Sequence, residues 1–324
     1  MAIKYSLLRI AAAVMTFFML IPAGQGKTAE YDVKDPAECR LNFTVLSDSH
    51  IEGNNFQRYK VFARSLQDVK KNKSGNDAIV FLGDNTMNGQ VVENLLFHGA
   101  VTELLRGEKI LPVIGNHDLG NGGGDYDALR SRWLGFTDAF FGRKLESPYY
   151  YEVIDGDYFI VLGMESHGVS ELYMTDAQYD WLESVLAKAA QSGKPAFVFS
   201  HHPSYDAVDE NGEETSRLSD ILAAYNREHD IFSFVGHTHR PLYLFWSFHD
   251  DNGYPEIYLP RLTHLAGEKD NEIYKESGIG IEVEVYDGSV CVRGRDFYNG
   301  EWRYDSADEK ICEVTYPVRD NAKQ

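Results

Sequence analysis

The chain has 324 residues, of which 43% are hydrophobic and 13% aromatic, enough to build one large core. Its formal net charge of −19 disfavours binding to nucleic acid duplexes and to anionic lipid, because like charges repel. We therefore expect a single large domain whose partner is a small molecule.

The first 26 residues have the form of a secretory signal peptide. Lys4 and Arg9 precede an apolar run over residues 10–23, which is short for a membrane span and favours a cleaved signal over a retained anchor. No cysteine ends this run, so no lipid-attachment site is expected. Loss of Lys4 and Arg9 with the signal takes the net charge from −19 to −21. We predict a secreted or periplasmic protein with no membrane contact after signal removal, divided into a signal peptide (1–26), a linker (27–40), a domain (41–318) and a tail (319–324).

Three cysteines, Cys39, Cys291 and Cys312, are an odd number for an oxidising compartment. Cys291 and Cys312 both lie in the C-terminal strand region, which makes them a candidate disulfide pair and leaves Cys39 unpaired. The sequence does not fix this connectivity. It contains no Cys-x-x-Cys spacing that would indicate a zinc knuckle.

The first half of the domain alternates buried strands with amphipathic helices. Strands are predicted over Leu41–Leu46, Ala78–Leu82 and 110–114, with helices over 54–73 and 90–106 between them. Strand–helix–strand units of this kind imply parallel strands with right-handed crossovers. In such sheets the carboxyl ends of the strands are where ligands bind.

The second half contains more short strands. The glycine-rich residues 120–124 are predicted as a loop that borders the ligand site, and the aromatic-rich residues 126–141 as a short cap. Segments 149–154 and 158–163 predict a hairpin. Thr175-Asp176-Ala177-Gln178 has the form of a capping box that opens a helix over 178–190. The remaining predicted elements are strands at Ala196–Ser200 and Ile231–Val235, a helix at 218–228, and antiparallel strands at 256–259, 279–286 and 290–293.

Five predicted strand ends carry carboxylate, amide or imidazole side chains. They are Asp48 and His50, Asp84, Asn116 and His117, His201, and His237 and His239. Six of the eleven histidines, counting His202, lie in these five short stretches, whereas a scattered placement would be expected of structural or surface histidines. The combination therefore indicates one shared site.

Oxygen and imidazole ligands without thiolates suit Mn²⁺, Fe or Zn²⁺. Seven ligands are too many for one catalytic ion, but they match two ions that share a carboxylate at a separation of roughly 3.5–4 Å. Two ions at this distance acidify a bridging water to hydroxide and neutralise the oxygens of a phosphoryl group. The ligand set therefore predicts hydrolysis of a small phosphoester.

The motif order Asp-x-His, Gly-Asp, Gly-Asn-His-Asp, His and Gly-His-x-His resembles that of the calcineurin-like metallophosphoesterase superfamily over residues 41–300. The resemblance implies an α/β fold, a four-layer αββα sandwich of two mixed β-sheets flanked by helices. The ligands that it implies for one ion are Asp48, His50 and His239. For the other ion it implies Asn116, His201 and His237, with Asp84 bridging. His117 would stabilise or protonate the leaving oxygen, and Asp118 would orient His117.

Two differences from the purple acid phosphatase pattern indicate which branch of the superfamily this sequence resembles. Purple acid phosphatases share Gly83-Asp84-Asn85, but they have a Tyr at the position of Met87 and a Gly at the position of His50, so a purple Fe³⁺ centre is not expected. The Asp-x-His form and His201-His202-Pro203 resemble the cyclic-nucleotide and glycerophosphodiester phosphodiesterases instead. This favours a phosphodiesterase, with a phosphomonoesterase or nucleotide phosphatase as the alternative that shares the same pattern.

Some interpretations stay open in the sequence. His202 is a candidate contact to the substrate phosphate or a packed residue beside a proline turn, and the aromatic residues 243–248 are predicted as core. The other histidines are predicted as structural or surface residues: His98, His167, His229, His249 and His264. The alternative from another class is a non-catalytic scaffold of the same fold. Such a scaffold typically loses ligand residues, whereas all seven positions and His117 are intact here.

Overall fold

The structure is a computed structural model that describes residues 30–209, 211–263, 277–305 and 310–319. The predicted signal peptide, His264 and residues 320–324 of the predicted tail lie outside the described residues. In the described part of the chain, no helix combines the length and the apolar composition needed to cross a membrane.

The helices and strands follow the predicted order closely. The helices are α1 (Phe56–Val69), α2 (Val91–Leu104), α3 (Tyr126–Phe141), α4 (Asp176–Ala190), α5 (Arg217–Asn226) and α6 (Leu244–Ser247), with a 3₁₀ turn at Ser204–Asp206. The strands of the first half are β1 (Leu41–Leu46), β2 (Ala78–Leu82), β3 (Ile110–Val113), β4 (Tyr150–Ile154), β5 (Asp157–Val161), β6 (Leu172–Tyr173), β7 (Ala196–Ser200) and β8 (Ala207–Val208). Those of the second half are β9 (Ile231–Val235), β10 (Phe248–His249), β11 (Glu256–Tyr258), β12 (Ile279–Tyr286), β13 (Ser289–Asp296), β14 (Glu301–Trp302), β15 (Tyr304–Asp305), β16 (Lys310–Ile311) and β17 (Glu313–Pro317).

Most strands belong to two mixed sheets. Sheet 1 has the order β14-β13-β12-β1-β2-β3, with β17 also paired to β13; β1, β2 and β3 are parallel, as predicted. Sheet 2 has the order β10-β11-β9-β7-β5-β4, with parallel pairing from β5 to β11. The predicted antiparallel strand at residues 256–259 is confirmed on one side only: β11 pairs antiparallel with β10 and parallel with β9.

The two sheets pack face to face through an aromatic core. The ring of Phe43 in β1 lies 4.9 Å from that of Phe159 and 5.0 Å from that of Phe197, both in sheet 2. On the outer side of sheet 1, α1 and α2 bury Phe62 and Phe97. Helices α4 and α5 cover the outer side of sheet 2 with a second apolar cluster. The predicted four-layer sandwich is confirmed.

The caps explain where the helices begin. Asn55 accepts a hydrogen bond from the Arg58 amide at the start of α1, and Thr175 accepts one from the Gln178 amide at the start of α4. The predicted capping box is only half formed, because the buried Gln178 side chain pairs instead with both backbone groups of Gly163, each at 2.9 Å. Gln178 thereby ties α4 to the end of β5.

Residues 30–40 differ from a linker in the structure. Tyr31 and Val33 are buried, and the Tyr31 hydroxyl donates to Glu282 of β12 at 2.7 Å. The Lys34 amide donates to Glu284 at 3.0 Å. This segment, which we call the N-terminal arm, is therefore part of the domain, because its aromatic and polar groups fill a site on sheet 1.

The candidate disulfide between Cys291 and Cys312 is absent. Cys291 lies opposite Thr315 in the β13–β17 ladder, whereas the carbonyl of Cys312 accepts from the Gly294 amide, three residues further along β13. Three residues of strand span about 10 Å, beyond the reach of a disulfide. The expected burial of residues 243–248 also fails at Phe245, whose side chain is 82% exposed.

Candidate metal centre

The carboxyl ends of β1, β2 and β3 meet those of β7 and β9 at one edge of the sandwich. Glycines permit this approach: a Cβ on Gly83 would lie 2.6 Å from His201 Nδ1, and a Cβ on Gly236 would lie 2.2 Å from Ser47 Oγ. Both distances are shorter than any side chain tolerates, so the Gly-Asp and Gly-His motifs need their glycines. The strand ends therefore bring the predicted ligands of both sheets together.

The predicted ligands form overlapping groups in which Asp84 is shared. Nε2 of His239 lies 3.0 Å from Asp48 Oδ1, and Nε2 of His50 lies 3.5 Å from the same oxygen. On the other side, Nε2 of His201 lies 3.2 Å from Asp84 Oδ2. Ligand atoms within 4.8 Å of one another define three groups: Asp48, His50 and His239; His50, Asp84 and His117; and Asp84, His201 and His237. The central position of Asp84 matches the bridging role that the resemblance implies.

Two buried atoms test whether these residues fit metal ions. Asn116 Oδ1 and His201 Nε2 are buried and have no hydrogen-bond partner. The opposite end of each side chain is held: Asn116 Nδ2 donates to Asn121 Oδ1 at 3.0 Å, and His201 Nδ1 donates to the Leu82 carbonyl at 2.8 Å. Because a carbonyl only accepts, His201 carries a proton on Nδ1, and Nε2 is the ring atom that faces the site. The residues fit a centre of two metal ions.

The backbone at the site is strained. Seven non-glycine residues in the described part of the chain have positive φ, and five of them are predicted ligands: Asp48, His50, Asp84, His237 and His239. A left-handed conformation costs roughly 1–3 kcal/mol at a non-glycine residue. The surrounding fold therefore holds these side chains in directions that an unstrained strand end would not give.

The charges at the site also suit cations. Asp48 and Asp84 are fully buried, and burial alone would raise the pKa of each; histidines, above all His239 beside Asp48 and His201 beside Asp84, lower both pKa values instead. Burial lowers the pKa of His50 to about 3 and that of His237 to about 4. Burial alone would lower the pKa of His201. The negative charges of Asp84 and Asp48 outweigh this effect and raise the pKa to about 9. Ionised carboxylates and neutral imidazoles are the forms that bind metal, so a metal bound at His201 would have to displace the proton that the raised pKa retains.

His117 is placed as predicted. Its Nδ1 donates to the Met87 carbonyl at 2.7 Å, so Nε2 points into the site, 4.0 Å from Asp84 Oδ2. Its amide donates to Asp84 Oδ1 at 2.8 Å. The side chain is 20% exposed, which leaves Nε2 open to a bound substrate. This arrangement allows His117 to give a proton or a hydrogen bond to a leaving oxygen.

Asp118 does not orient His117, and this prediction is corrected. Its Oδ1 accepts from the Thr86 amide at 2.9 Å and the Thr86 hydroxyl at 2.8 Å, and its Oδ2 accepts from the Gly115 amide at 3.1 Å. Burial, together with the charge of Asp84, raises the pKa of Asp118 to about 6. Asp118 therefore fixes the loops after β2 and β3, while the Met87 carbonyl orients His117.

His202 does not reach a substrate, which corrects the second candidate role. Its side chain is 0% exposed, and its ring lies 4.1 Å from the ring of His237 at an angle of 37°. The ring of His201 contacts its edge at 5.0 Å. His202 is therefore a packing residue behind the ligands.

Sequence reasoning missed several residues that support the ligands. Ser47 Oγ donates to Asp48 Oδ2 at 2.5 Å, and Asn121 holds Asn116 from the glycine-rich loop. The sequence contained a signal for both residues: Ser47 directly precedes the Asp48 motif, and Asn121 lies in the glycine-rich loop predicted to border the site. Met87 acts through its backbone carbonyl, for which no side-chain pattern exists.

Comparisons with known proteins agree with this fold. The model of the calcineurin-like phosphoesterase family matches residues 41–241. The fold is similar to that of a dimetal phosphatase from Danio rerio, with 15% identity and a TM-score of 0.55 over 87% of this chain and 100% of that one. It is also similar to a purple acid phosphatase from yellow lupin (Lupinus luteus) seeds, with 15% identity and a TM-score of 0.55 over 87% of this chain and 54% of that one. No curated protein sequence matched.

Proposed function

The chain belongs to the calcineurin-like phosphoesterase family, and we propose on this basis that it is a metal-dependent hydrolase of small phosphodiesters. The observation that carries the proposal is the ligand set itself, with Asp84 between two groups of oxygen and imidazole atoms. Two bound ions would supply the charge that activates water and neutralises phosphoryl oxygens. The donor set suits Mn²⁺, Fe or Zn²⁺.

The residues of the chain hold and orient the reactants. Asp48, Asp84 and their histidine neighbours would hold the metal ions at the joined strand ends. The positive charge of those ions would bind an anionic phosphoryl group there. His117, anchored by its Nδ1 to Met87, offers Nε2 to the leaving oxygen. Because water is the nucleophile, no phospho-enzyme is expected.

The preference for diesters is the finer part of the proposal. It is supported by the Asp48-x-His50 form and by His201-His202-Pro203, which resemble those of phosphodiesterases. The alternative, a phosphomonoesterase or nucleotide phosphatase, uses the same ligands and is decided by the substrates tested below. A non-catalytic scaffold is disfavoured by the complete ligand set.

We also propose that the protein is secreted or periplasmic. The support is the charged, apolar and small-residue pattern of residues 1–26. Expression of the full chain with an added C-terminal epitope, followed by cell fractionation, tests this. Retention of uncleaved protein in the cytoplasm would contradict it.

The first test of the enzyme is hydrolysis of bis(4-nitrophenyl) phosphate and 4-nitrophenyl phosphate by protein stripped of metal and then given Mn²⁺ or Zn²⁺. We expect activity to return with metal and to be faster on the diester. Faster turnover of the monoester would support the alternative. Folded protein that binds little metal and cleaves neither substrate would identify a scaffold.

A further inference from the structure

Among the described residues, Arg240 lies next to a metal ligand in the sequence and has no carboxylate partner. Arg240 directly follows the ligand His239, after β9. The neighbouring strand β11 runs parallel to β9 and places Tyr258 opposite Val235, at the same edge of sheet 2. At this edge, histidine ligands follow the ends of β7 and β9. Arg240 and Tyr258 lie on the β11 side of these ligands. Arg240 therefore lies at one side of the proposed reaction site.

The guanidinium of Arg240 is held in place by aromatic contacts. Its Cζ lies 4.2 Å from the centroid of the Tyr258 ring, and its Nη1 lies 3.4 Å from His249 Nε2. Burial raises the pKa of the half-exposed Tyr205, and the charge of the adjacent Arg240 opposes part of that rise. We call Tyr205, Arg240 and Tyr258 the rim cluster. Stacking keeps the planar donor fork of an arginine oriented before a ligand arrives.

The acids near Arg240 do not neutralise it by contact. Glu256 is buried, and its oxygens accept from the Tyr258 hydroxyl at 2.8 Å and from the Ser204 amide at 3.3 Å. Asp206 is close enough for its pKa to respond to Arg240, although burial and Glu256 affect that pKa more. Within the described ranges, Arg240 makes no ion pair with a carboxylate.

Several other arginines of the chain pair with carboxylates. Arg143, Arg293 and Arg295 each bind a carboxylate: Glu152, Glu284 and Asp68 respectively. In the described part of the chain, Arg64, Arg130 and Arg132 are also half-buried without a carboxylate pair, but only Arg240 directly follows a residue of the metal-ligand set. Arginine forks match carboxylate and phosphate groups in geometry and charge.

We propose that Arg240 binds a second anionic group of the substrate, a carboxylate or another phosphate, beside the phosphoryl group under attack. This inference rests on the proposed function and names its substrate class: phosphoesters that carry a further negative charge. Tyr205 forms the exposed wall of this subsite, with 52% of its side chain accessible.

Binding of non-hydrolysable phosphonates tests the inference without requiring turnover. The probes are ω-phosphonocarboxylates with two-, three- and four-carbon chains, each paired with the carboxamide of the same length. Calorimetry on Mn²⁺-loaded protein should show that the carboxylate binds about tenfold more tightly than the amide at one chain length or more. The Arg240→Gln variant should reduce that ratio to about one, and Arg240→Lys should retain part of it.

A matched control removes the same charge elsewhere. Lys109 is exposed and directly precedes β3, at the end of the strand away from the metal ligands. Lys109→Gln should therefore keep the wild-type ratio of acid to amide binding. Equal binding of acid and amide to the wild type would overturn the proposal. So would an Arg240→Gln variant that weakens acid and amide alike, because that result would assign Arg240 to the phosphoryl group itself. Failure of all phosphonates to bind would overturn it as well.

The proposed function is tested separately by turnover of the nitrophenyl esters. Loss of the acid preference in protein that still cleaves those esters would refute the subsite alone. An inactive wild type that binds the phosphonocarboxylates with the expected preference would refute the hydrolase and leave the subsite standing.

Discussion

Carboxylates of sheet 1 are buried both at the metal centre and where the N-terminal arm packs on the sheet, but the groups around these carboxylates differ. At the centre, Asp48 and Asp84 face imidazoles, and two nearby ligand atoms have no hydrogen-bond partner. Under the arm, Glu282 accepts from Tyr31 at 2.7 Å, Thr44 at 2.9 Å and Asn72 at 3.1 Å. Histidine charges lower the pKa values of Asp48 and Asp84, whereas burial raises the pKa of Glu282 to about 7.

The two regions show how a buried carboxylate that stabilises the fold differs from one that binds a ligand. A buried carboxylate whose hydrogen bonds come from the protein's own neutral groups stabilises the fold. A pair of buried carboxylates surrounded by imidazoles with unused lone pairs binds something that the chain does not supply. Variants in the first region should change stability, and variants in the second should change activity.

The largest effect is expected for Asp84→Asn. Loss of the shared carboxylate should lower metal-dependent kcat by about a thousandfold and reduce bound metal, with little loss of stability. Asp155→Asn is the matched control, because Asp155 has nearly the same φ (49° against 48°) but lies in the β4–β5 turn. Near wild-type turnover by Asp84→Asn, measured with the nitrophenyl esters, would refute the assignment.

Arg295→Leu should give the opposite result. Arg295 is fully buried, its Nε donates to Asp68 at 2.7 Å, and its guanidinium stacks on Tyr31 at 4.0 Å. Leaving Asp68 without this partner should lower the free energy of unfolding by about 3–5 kcal/mol in urea titrations. Turnover of the folded variant should stay within about twofold of wild type. Arg64→Leu, which removes an arginine stacked on Tyr298, is the milder control.

His117→Ala should reduce kcat by about a hundredfold without changing the metal content, because His117 acts on the leaving oxygen. The readout that separates this role from metal binding is the leaving group. The deficit should shrink with a nitrophenol, which leaves without help, and grow with a simple alcohol. An equal deficit for both leaving groups would argue against proton donation.

The smallest effect concerns pH. Because the pKa of Glu282 is raised from its ordinary value of 4.5 to about 7 in the folded protein, the folded state binds its proton more tightly than the unfolded state. Its contribution to stability is therefore full below pH 4.5 and falls as the pH rises towards 7. Relative to Glu282→Gln, the wild type should lose about 1–3 kcal/mol of unfolding free energy between pH 5 and pH 8. An unchanged difference across this range would refute the shift.

Much of the fold and the ligand set was predictable because the signals are local. β1, β2, β7 and β9 have the predicted bounds, since each is a short apolar run that ends in a glycine or a polar motif. The ligands follow those ends directly. The parallel pairing of β11 with β9 was not predictable, because it depends on how the chain returns after α6 rather than on the residues of β11.

The supporting contacts were less predictable for a related reason. Asp118 was assigned to its sequence neighbour His117, but in space it lies nearer to the amides of Thr86 and Gly115. The N-terminal arm had the polar composition of a linker, and Tyr31 becomes a core residue through contacts with residues far along the chain, among them Glu282 and Arg295. Contacts between residues far apart in the sequence leave no periodic pattern.

The position of β1 has a consequence for the order of assembly. β1 lies between β2 and β12, and Leu41 pairs with Val285 near the other end of the domain. Until β12 has been synthesised, one edge of β1 exposes its backbone groups, and the arm lacks its contacts to Glu282 and Glu284. A chain synthesised from the N terminus therefore cannot complete sheet 1 until β12 is available, which makes the pairing of β1 with β12 a late step in assembly.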